Sequence, residues 1–368
     1  MNINIHKEQL ETSLSQVIGV VEKRQTLPIL GNVYLSLEGG VLTLVGSDLE
    51  TEITTKVSGV NGSDGKITVS ARKLFDICRS LPSDAVLNLD LAENSKMLVT
   101  AGKSRFTLQT LPALDYPRLD ESNWKQEFSL PEKDLQALLS RTSFSMAQQD
   151  VRYFLNGLLI ELNSDHIVSV ATDGHRLAKT TLSVPNLGID GVQNIVPRKA
   201  VLEMTKFLSA DSDTMVSVKV NSSHIYVGAG DFTFISKLID GRFPDYEKVI
   251  PGNLNKHVII DRANLIDILS RAAILSNEKF RGVSLNLSDN TLKVSSHNPD
   301  QEQATDEMPI DYASEAIEIG FNVNYLLEAL KACHSDNINL GLLDPNTSCT
   351  FHAEGDDNTL YLIMPMRL

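Results

Sequence analysis

Hydrophobic positions along the chain follow one order of elements, and that order occurs three times. Leu10, Leu14, Val17, Ile18 and Val21 share a face of a predicted helix from about Lys7 to Val21. The stretch LPILGNVYLSLEGGVLTLVGSDLE (27–50) then alternates apolar and polar residues, the signature of paired half-buried strands. A second helix is predicted over 72–82, where Leu74, Ile77, Cys78 and Leu81 recur at helical spacing. Strands follow at 86–91, 97–101 and 105–111, and the Pro-containing stretch ALDYPRLDESN (113–123) reads as a connector.

The second copy opens at Pro131, a residue suited to a first helical turn, with Leu135, Leu138, Leu139 and Thr142 on the predicted inner face. Its second helix, 196–209, carries Val201, Met204, Thr205 and Leu208. The third copy has Leu265, Ile268, Leu269 and Ala272 in a helix over 261–280, and Val323, Leu326, Leu327 and Leu330 in one over 322–333. Gly31, Gly157 and Gly282 are matching points, and Arg72-Lys73 matches Arg198-Lys199 at a spacing of 126. Repetition on this scale is that of whole domains, not of solenoid units. The fold class is therefore α+β: three tandem copies of one domain, each with two helices packed on antiparallel sheets, at 1–125, 126–252 and 253–368.

The middle copy differs from the others in one place. DVRYFLNGLLIELNSDHIVSVATDGHRLA (150–178) reads as a helix end, two strands and a polar turn, and only this copy finishes in Gly-His-Arg-Leu. Asp173-Gly174 is a hairpin turn in which Gly supplies the positive φ, and distinctive chemistry is expected at His175 to Leu177.

Composition narrows the class. The proportions, 42% hydrophobic and 22% charged, are those of a soluble globular protein. The opening MNINIHKEQL lacks the order of a signal peptide, and no apolar run reaches membrane-span length. Three cysteines (Cys78, Cys333, Cys349) lack metal-ligand spacing and fit a reduced cytoplasm. No cofactor or metal is expected.

Net charge is −14, which by sum disfavours nucleic acid. Its distribution changes that picture. The segment 71–82 is +2, with Arg72, Lys73 and Arg79 against Asp76; 197–209 is also +2, with Arg198, Lys199 and Lys206 against Glu203. The segment 261–281 is +1, and the other three predicted helices are neutral, so the acidity lies in sheets and loops. Positive helices could face phosphate without base-specific readout, since no zinc finger or helix-turn-helix is evident.

A catalytic reading of Asp173 and His175 has little behind it. No nucleophile elbow, phosphate loop or metal cluster accompanies the pair, and no repeat is equipped as an enzyme site. A monomeric peptide-binding scaffold without DNA is a third reading, which a dimer measurement separates.

The strings LPILGN, RFTLQTLPALDYP, FSMAQQDVRYFLNG, VATDGHRLA, VPRK, DGRFPDY, RAAILSNEKFRGV, EIGFNVNY and MPMRL, in order over essentially the whole chain, closely resemble the bacterial DNA polymerase III β subunit, the sliding clamp family. The resemblance implies a DNA clamp fold in a head-to-tail homodimer whose six domains form a ring around duplex DNA. Domains of ~120 residues have radii of gyration near ~14 Å, so six on a circle leave a hole roughly 30 Å wide. Such a ring slides without sequence specificity and tethers the replicative polymerase, a non-enzymatic processivity role. The partners implied are duplex DNA, a second copy, the polymerase III α subunit, the clamp loader, and other polymerases and repair or replication-control proteins. These carry a short peptide, typically Gln, an apolar residue and a final Leu-Phe.

Carried over motif by motif, the resemblance implies a peptide pocket of Leu155, Thr172, Gly174, His175, Arg176, Leu177, Pro244, Lys248, Val249, Asn322, Tyr325, Ser348, Leu362, Met364, Pro365, Met366 and Arg367. His175, Arg176 and Arg367 are expected as polar handles at its rim. Phe154 and Lys248 stand where relatives carry Tyr and Arg. Arg24, Gln149 and Tyr153 are expected to touch the duplex, with Arg72, Lys73, Arg198 and Lys199 as electrostatic contributors. At the dimer contact, Phe106 and Leu108 should meet Ile274 and Leu275 of the other copy. Lys103 and Arg105 should face Asp300, Glu302, Asp306 and Glu307. Cys78 and Cys333 are expected as core thiols.

Overall fold

The computed structural model describes residues 1–22, 27–92, 95–119, 123–189 and 191–367. Among them are six α-helices, two to each repeat: Lys7–Val17, Ala71–Ser80, Glu132–Ser140, Arg198–Phe207, Arg262–Ile274 and Val323–Ala332. Each turns its apolar stripe inward. Leu10, Leu14 and Val17 are buried on the first, and Leu265, Ile268, Leu269 and Ala272 on the fifth. Removing a side chain of this kind from a close-packed core costs about 2–5 kcal/mol.

Contacts divide the chain into two compact units, Met1–Lys133 with Leu202–Leu238, and Asp134–Val201 with Ile239–Leu368. In the first, a 13-stranded sheet runs through the strands of repeat one together with the opening strand Gln126–Pro131 and three late strands of repeat two. There Thr51–Ser58 pairs antiparallel with Phe232–Lys237, Phe232 opposite Thr55. The second unit holds an 8-stranded and a 4-stranded sheet. Within the former, Arg176–Ser183 of repeat two pairs antiparallel with Thr359–Ile363 of repeat three, Leu177 opposite Leu362. Successive repeats are thus joined by main-chain pairing, which explains why the compact units do not follow the repeat boundaries. Gln303–Pro309 is an edge strand of the 4-stranded sheet. Ser104–Leu111 pairs with Lys96–Ala101, and on its other side only at Thr110 and Leu111.

Three expectations are corrected. The first helix of repeat two stops at Ser140 instead of approaching Gln149, and Asp150 is no helix end. The Thr142 hydroxyl donates to the Leu138 carbonyl (2.9 Å), competing with helix propagation. Beyond it lie 3-10 turns at Ser143–Ser145 and Tyr153–Leu155, and Gln149 has φ +57°. Asn156 closes that excursion, accepting from the Asp150 amide (2.9 Å) and donating to the Asp150 carbonyl (2.8 Å). The first helix of repeat three ends at Ile274, and Arg281 has φ +50°, so Lys279 and Arg281 add no charge to a helix. The opening helix ends at Val17, four residues before Val21. No helix among the described residues is long and apolar enough to cross a membrane.

Candidate functional site

The turn after His166–Thr172 is built by its own side chains. The Asp173 carboxylate accepts from the amides of His175 (2.9 Å) and Arg176 (3.1 Å). The Thr172 hydroxyl donates to the Arg176 carbonyl (2.6 Å) and accepts from the Gly174 amide (3.1 Å). Gly174 sits at φ +89°, where an L side chain is strained. The result is a rigid corner presenting His175, which is exposed, beside Leu177, which is buried.

Leu177 belongs to a compact apolar cluster with Leu155, Leu159, Val170, Ile195, Phe243, Tyr246 and Leu362, against which Phe154 packs. Leu155, Leu177 and Leu362, drawn from three separate segments, therefore come together. Pro244 and Val249 are exposed on either side of buried Tyr246, and Lys248 points into solvent, paired with Asp245 (2.7 Å). Tyr246 donates to Glu161 (3.4 Å), and burial pushes its phenol well above the ordinary range.

The segment after Thr359–Ile363 is fixed through its backbone. The Met364 amide donates to the His175 carbonyl (2.9 Å), and the Met366 amide to the Gly320 carbonyl (2.8 Å). Met364 is 38% exposed, an apolar side chain offered to solvent beside the cluster. Pro365 and Met366 are half-buried and Arg367 is exposed. Ser348 precedes Cys349, the strand partner of Ile363. Asn322 caps helix Val323–Ala332, its side chain accepting from the Asn324 amide (2.9 Å). Tyr325, one turn into that helix, stacks on His175 with ring centroids 6.5 Å apart and 19° between planes. Burial is the main cause raising its phenol pKa, aided by Asp173.

Arg176 departs from expectation. It is 9% exposed, not a handle at the rim. Its guanidinium donates to Asp173 (3.0 Å), Glu328 (2.5 Å) and the Phe144 carbonyl (2.7 Å), and lies 4.5 Å over the Tyr325 ring. A buried cation survives only when paired in this way, so these N–H groups are not available to a ligand. Sequence reasoning missed Glu328, Phe144 and Arg152. Arg152 forks onto Asp150 (3.0 and 2.8 Å) and donates to the Asp173 carbonyl (3.2 Å). That pairing holds the Asp150 carboxyl down at about 2. Glu328 was signalled only by its place three residues after Tyr325 on one helix face.

The expected duplex contacts divide. Arg24 lies outside the described residues. Gln149 and Tyr153 are exposed, Tyr153 by 57%. Arg72 donates to the Val21 carbonyl (3.3 Å) and Arg198 to the Met146 carbonyl (3.1 Å), matching contacts in two repeats. Lys73 is exposed and Lys199 half-buried. At the expected dimer contact, Lys103 and Arg105 are exposed, Phe106 half-buried and Leu108 buried. Ile274 is 76% exposed, Leu275 is half-buried, and Glu302 is exposed while accepting from Asn298 (2.6 Å). Asp306 already pairs with Arg271 (2.5 Å).

Helix pairs on repeated antiparallel sheets, with strand pairing from repeat to repeat, define a DNA clamp. Models of the N-terminal, central and C-terminal domains of the DNA polymerase III beta subunit match residues 1–120, 129–245 and 247–367. The chain is 47% identical over 369 aligned residues to the beta sliding clamp of Pseudomonas putida and 44% identical to that of Escherichia coli K12, with all of each chain covered. A crystal structure of the Pseudomonas aeruginosa sliding clamp bound to griselimycin superposes with TM-score 0.95 at 47% identity, again over all of both chains. The chain belongs to the DNA polymerase III β-subunit, or β sliding clamp, family.

Proposed function

We infer that this protein is a non-enzymatic DNA polymerase processivity factor acting in the cytoplasm. Two copies join head to tail, their three domains each (1–125, 126–252, 253–368) closing a ring on duplex DNA. Replicative polymerase, clamp loader and repair polymerases dock by short peptides at the site of Leu155, Leu177, Leu362 and Met364. One observation carries the peptide reading: an exposed Met and a rigid His-Arg-Leu corner adjoin an apolar cluster drawn from two repeats. Flexible Met beside fixed apolar walls suits Leu and Phe side chains of varied partners.

The dimer reading is supported by how the repeats already join. Thr51–Ser58 with Phe232–Lys237, and Arg176–Ser183 with Thr359–Ile363, are antiparallel pairs between successive repeats. The corresponding strands left over are Gln303–Pro309 of repeat three and Ser104–Leu111 of repeat one. Pairing the first with the second of another copy repeats the same junction. It also brings Arg105 toward the acidic strand that carries Asp306 and Glu307.

The test is retention on circular DNA after loading, followed by linearisation with a restriction enzyme. Retention on the circle and loss from linear ends is expected; equal retention on both overturns the ring. Truncation after Ile363 is expected to abolish binding of a synthetic Gln-Leu-Ser-Leu-Phe peptide while sparing the dimer, and unchanged peptide affinity overturns the pocket assignment.

A further inference from the structure

We propose that Glu328, on the solvent side of helix Val323–Ala332, is a positioning residue for the peptide site, acting through Arg176. This rests on the peptide reading above. Glu328 is half-exposed and is not among the residues expected to line the site, yet its carboxylate accepts from Arg176 at 2.5 Å.

The contact lies in a chain of fixed groups. Glu328 and Tyr325 are three residues apart on one helix face, so one element supplies both the carboxylate and the ring that hold the guanidinium. Arg176 in turn holds Asp173 by its Nε (3.0 Å), and Asp173 holds the amides of His175 and Arg176. The orientation of the whole corner, including the His175 carbonyl that receives the Met364 amide, therefore depends on where the guanidinium sits. The matching turn of repeat one carries Thr51 in place of Arg176, its amide donating to Asp48 (2.6 Å).

Glu328 anchors that chain from outside. Without its negative charge, the Arg176 guanidinium keeps Asp173, the Phe144 carbonyl and the face of the Tyr325 ring but loses its charged tether to the helix. The corner then samples more than one arrangement, and a peptide must select the competent one, which lowers apparent affinity. Because Glu328 is half-exposed, water and salt screen the pair, and the effect is moderate.

The test is a double-mutant cycle in the full-length dimer, read by fluorescence anisotropy with a labelled Gln-Leu-Ser-Leu-Phe peptide. Glu328→Gln is expected to weaken binding roughly threefold, chiefly through faster dissociation, with thermal midpoint and dimerisation unchanged. In an Arg176→Lys background the same substitution is expected to have no further effect. Should that background fail to fold, the wild-type advantage over Glu328→Gln must still shrink as salt is raised from 50 mM to 500 mM. Wild-type affinity in Glu328→Gln, an equal loss in both backgrounds, or a salt-independent gap each overturns the proposal. Truncation after Ile363 is measured alongside. If truncation abolishes binding while Glu328→Gln does nothing, this inference alone fails; if truncation leaves binding intact, the peptide site fails with it.

Discussion

Gly157 and Gly31 occupy matching points of two repeats, yet an added methyl group would meet different surroundings. At Gly157 a Cβ would fall 2.7 Å from the Val196 carbonyl oxygen and 2.8 Å from Ile239 Cδ1; at Gly31 nothing lies within 4 Å. Gly157→Ala must therefore displace backbone and is expected to cost about 1–3 kcal/mol, while Gly31→Ala is near neutral; chemical denaturation of the two variants measures the difference. Two thiols make a second residue-scale case. Burial pushes both Cys78 and Cys349 up to about 12, so neither should react with iodoacetamide at pH 8 until the protein unfolds, as mass spectrometry would record. Asp150 behaves oppositely. Its depressed pKa means that the Arg152 pairing is fully present above the ordinary carboxylate range and is lost only as pH falls toward about 2. An NMR titration should place the Asp150 midpoint there, and Arg152→Ala should return it toward the ordinary value near ~3.9. The type of Arg176 was legible in the sequence, but its burial was not. A guanidinium at a turn reads the same whether it faces solvent or is taken up by Glu328, 152 positions away.

Helices announced themselves by their apolar spacing and misled at their ends. Side-chain periodicity reports the buried face, whereas termination depends on local hydrogen bonds such as Thr142 to Leu138, which spacing does not encode. The strands at Val86–Ala92, Lys96–Ala101 and Ser104–Leu111 fell where alternation put them, because burying one face fixes register. Asn322 belongs to this scale. Its side chain caps a helix, so Asn322→Ala is expected to lower stability by about 1 kcal/mol, and Asn322→Asp or Ser to restore it, in thermal melts. Peptide affinity should follow helix stability across the three variants, since Tyr325 and Glu328 ride on the same helix.

Over the whole molecule, a net charge of −14 disfavours tight phosphate binding, so retention on DNA is expected to be chiefly topological. Lys73 is exposed on a positive helix, and Lys73→Ala is expected to reduce the salt slope of linear-duplex affinity by about 1. Its lifetime on closed circular DNA should be unchanged, because a closed ring needs no phosphate contact to stay on. The three-fold repetition was legible at this scale. The sharing of repeat two between compact units was not, because it follows from strand pairs such as Phe232 with Thr55, joining residues far apart in sequence.

The two unmatched strands have a consequence for life before assembly. A lone copy carries Gln303–Pro309 at one sheet edge and Ser104–Leu111 largely open along another, and each is a template for a further chain. Because the two edges complement each other and not themselves, nothing in the pairing chemistry stops at two copies; only curvature that brings the second contact into register does. A substitution that flattened either junction would convert closure into chain growth. The expected hazard of such a variant is filament formation rising with concentration, not a population of inert monomers.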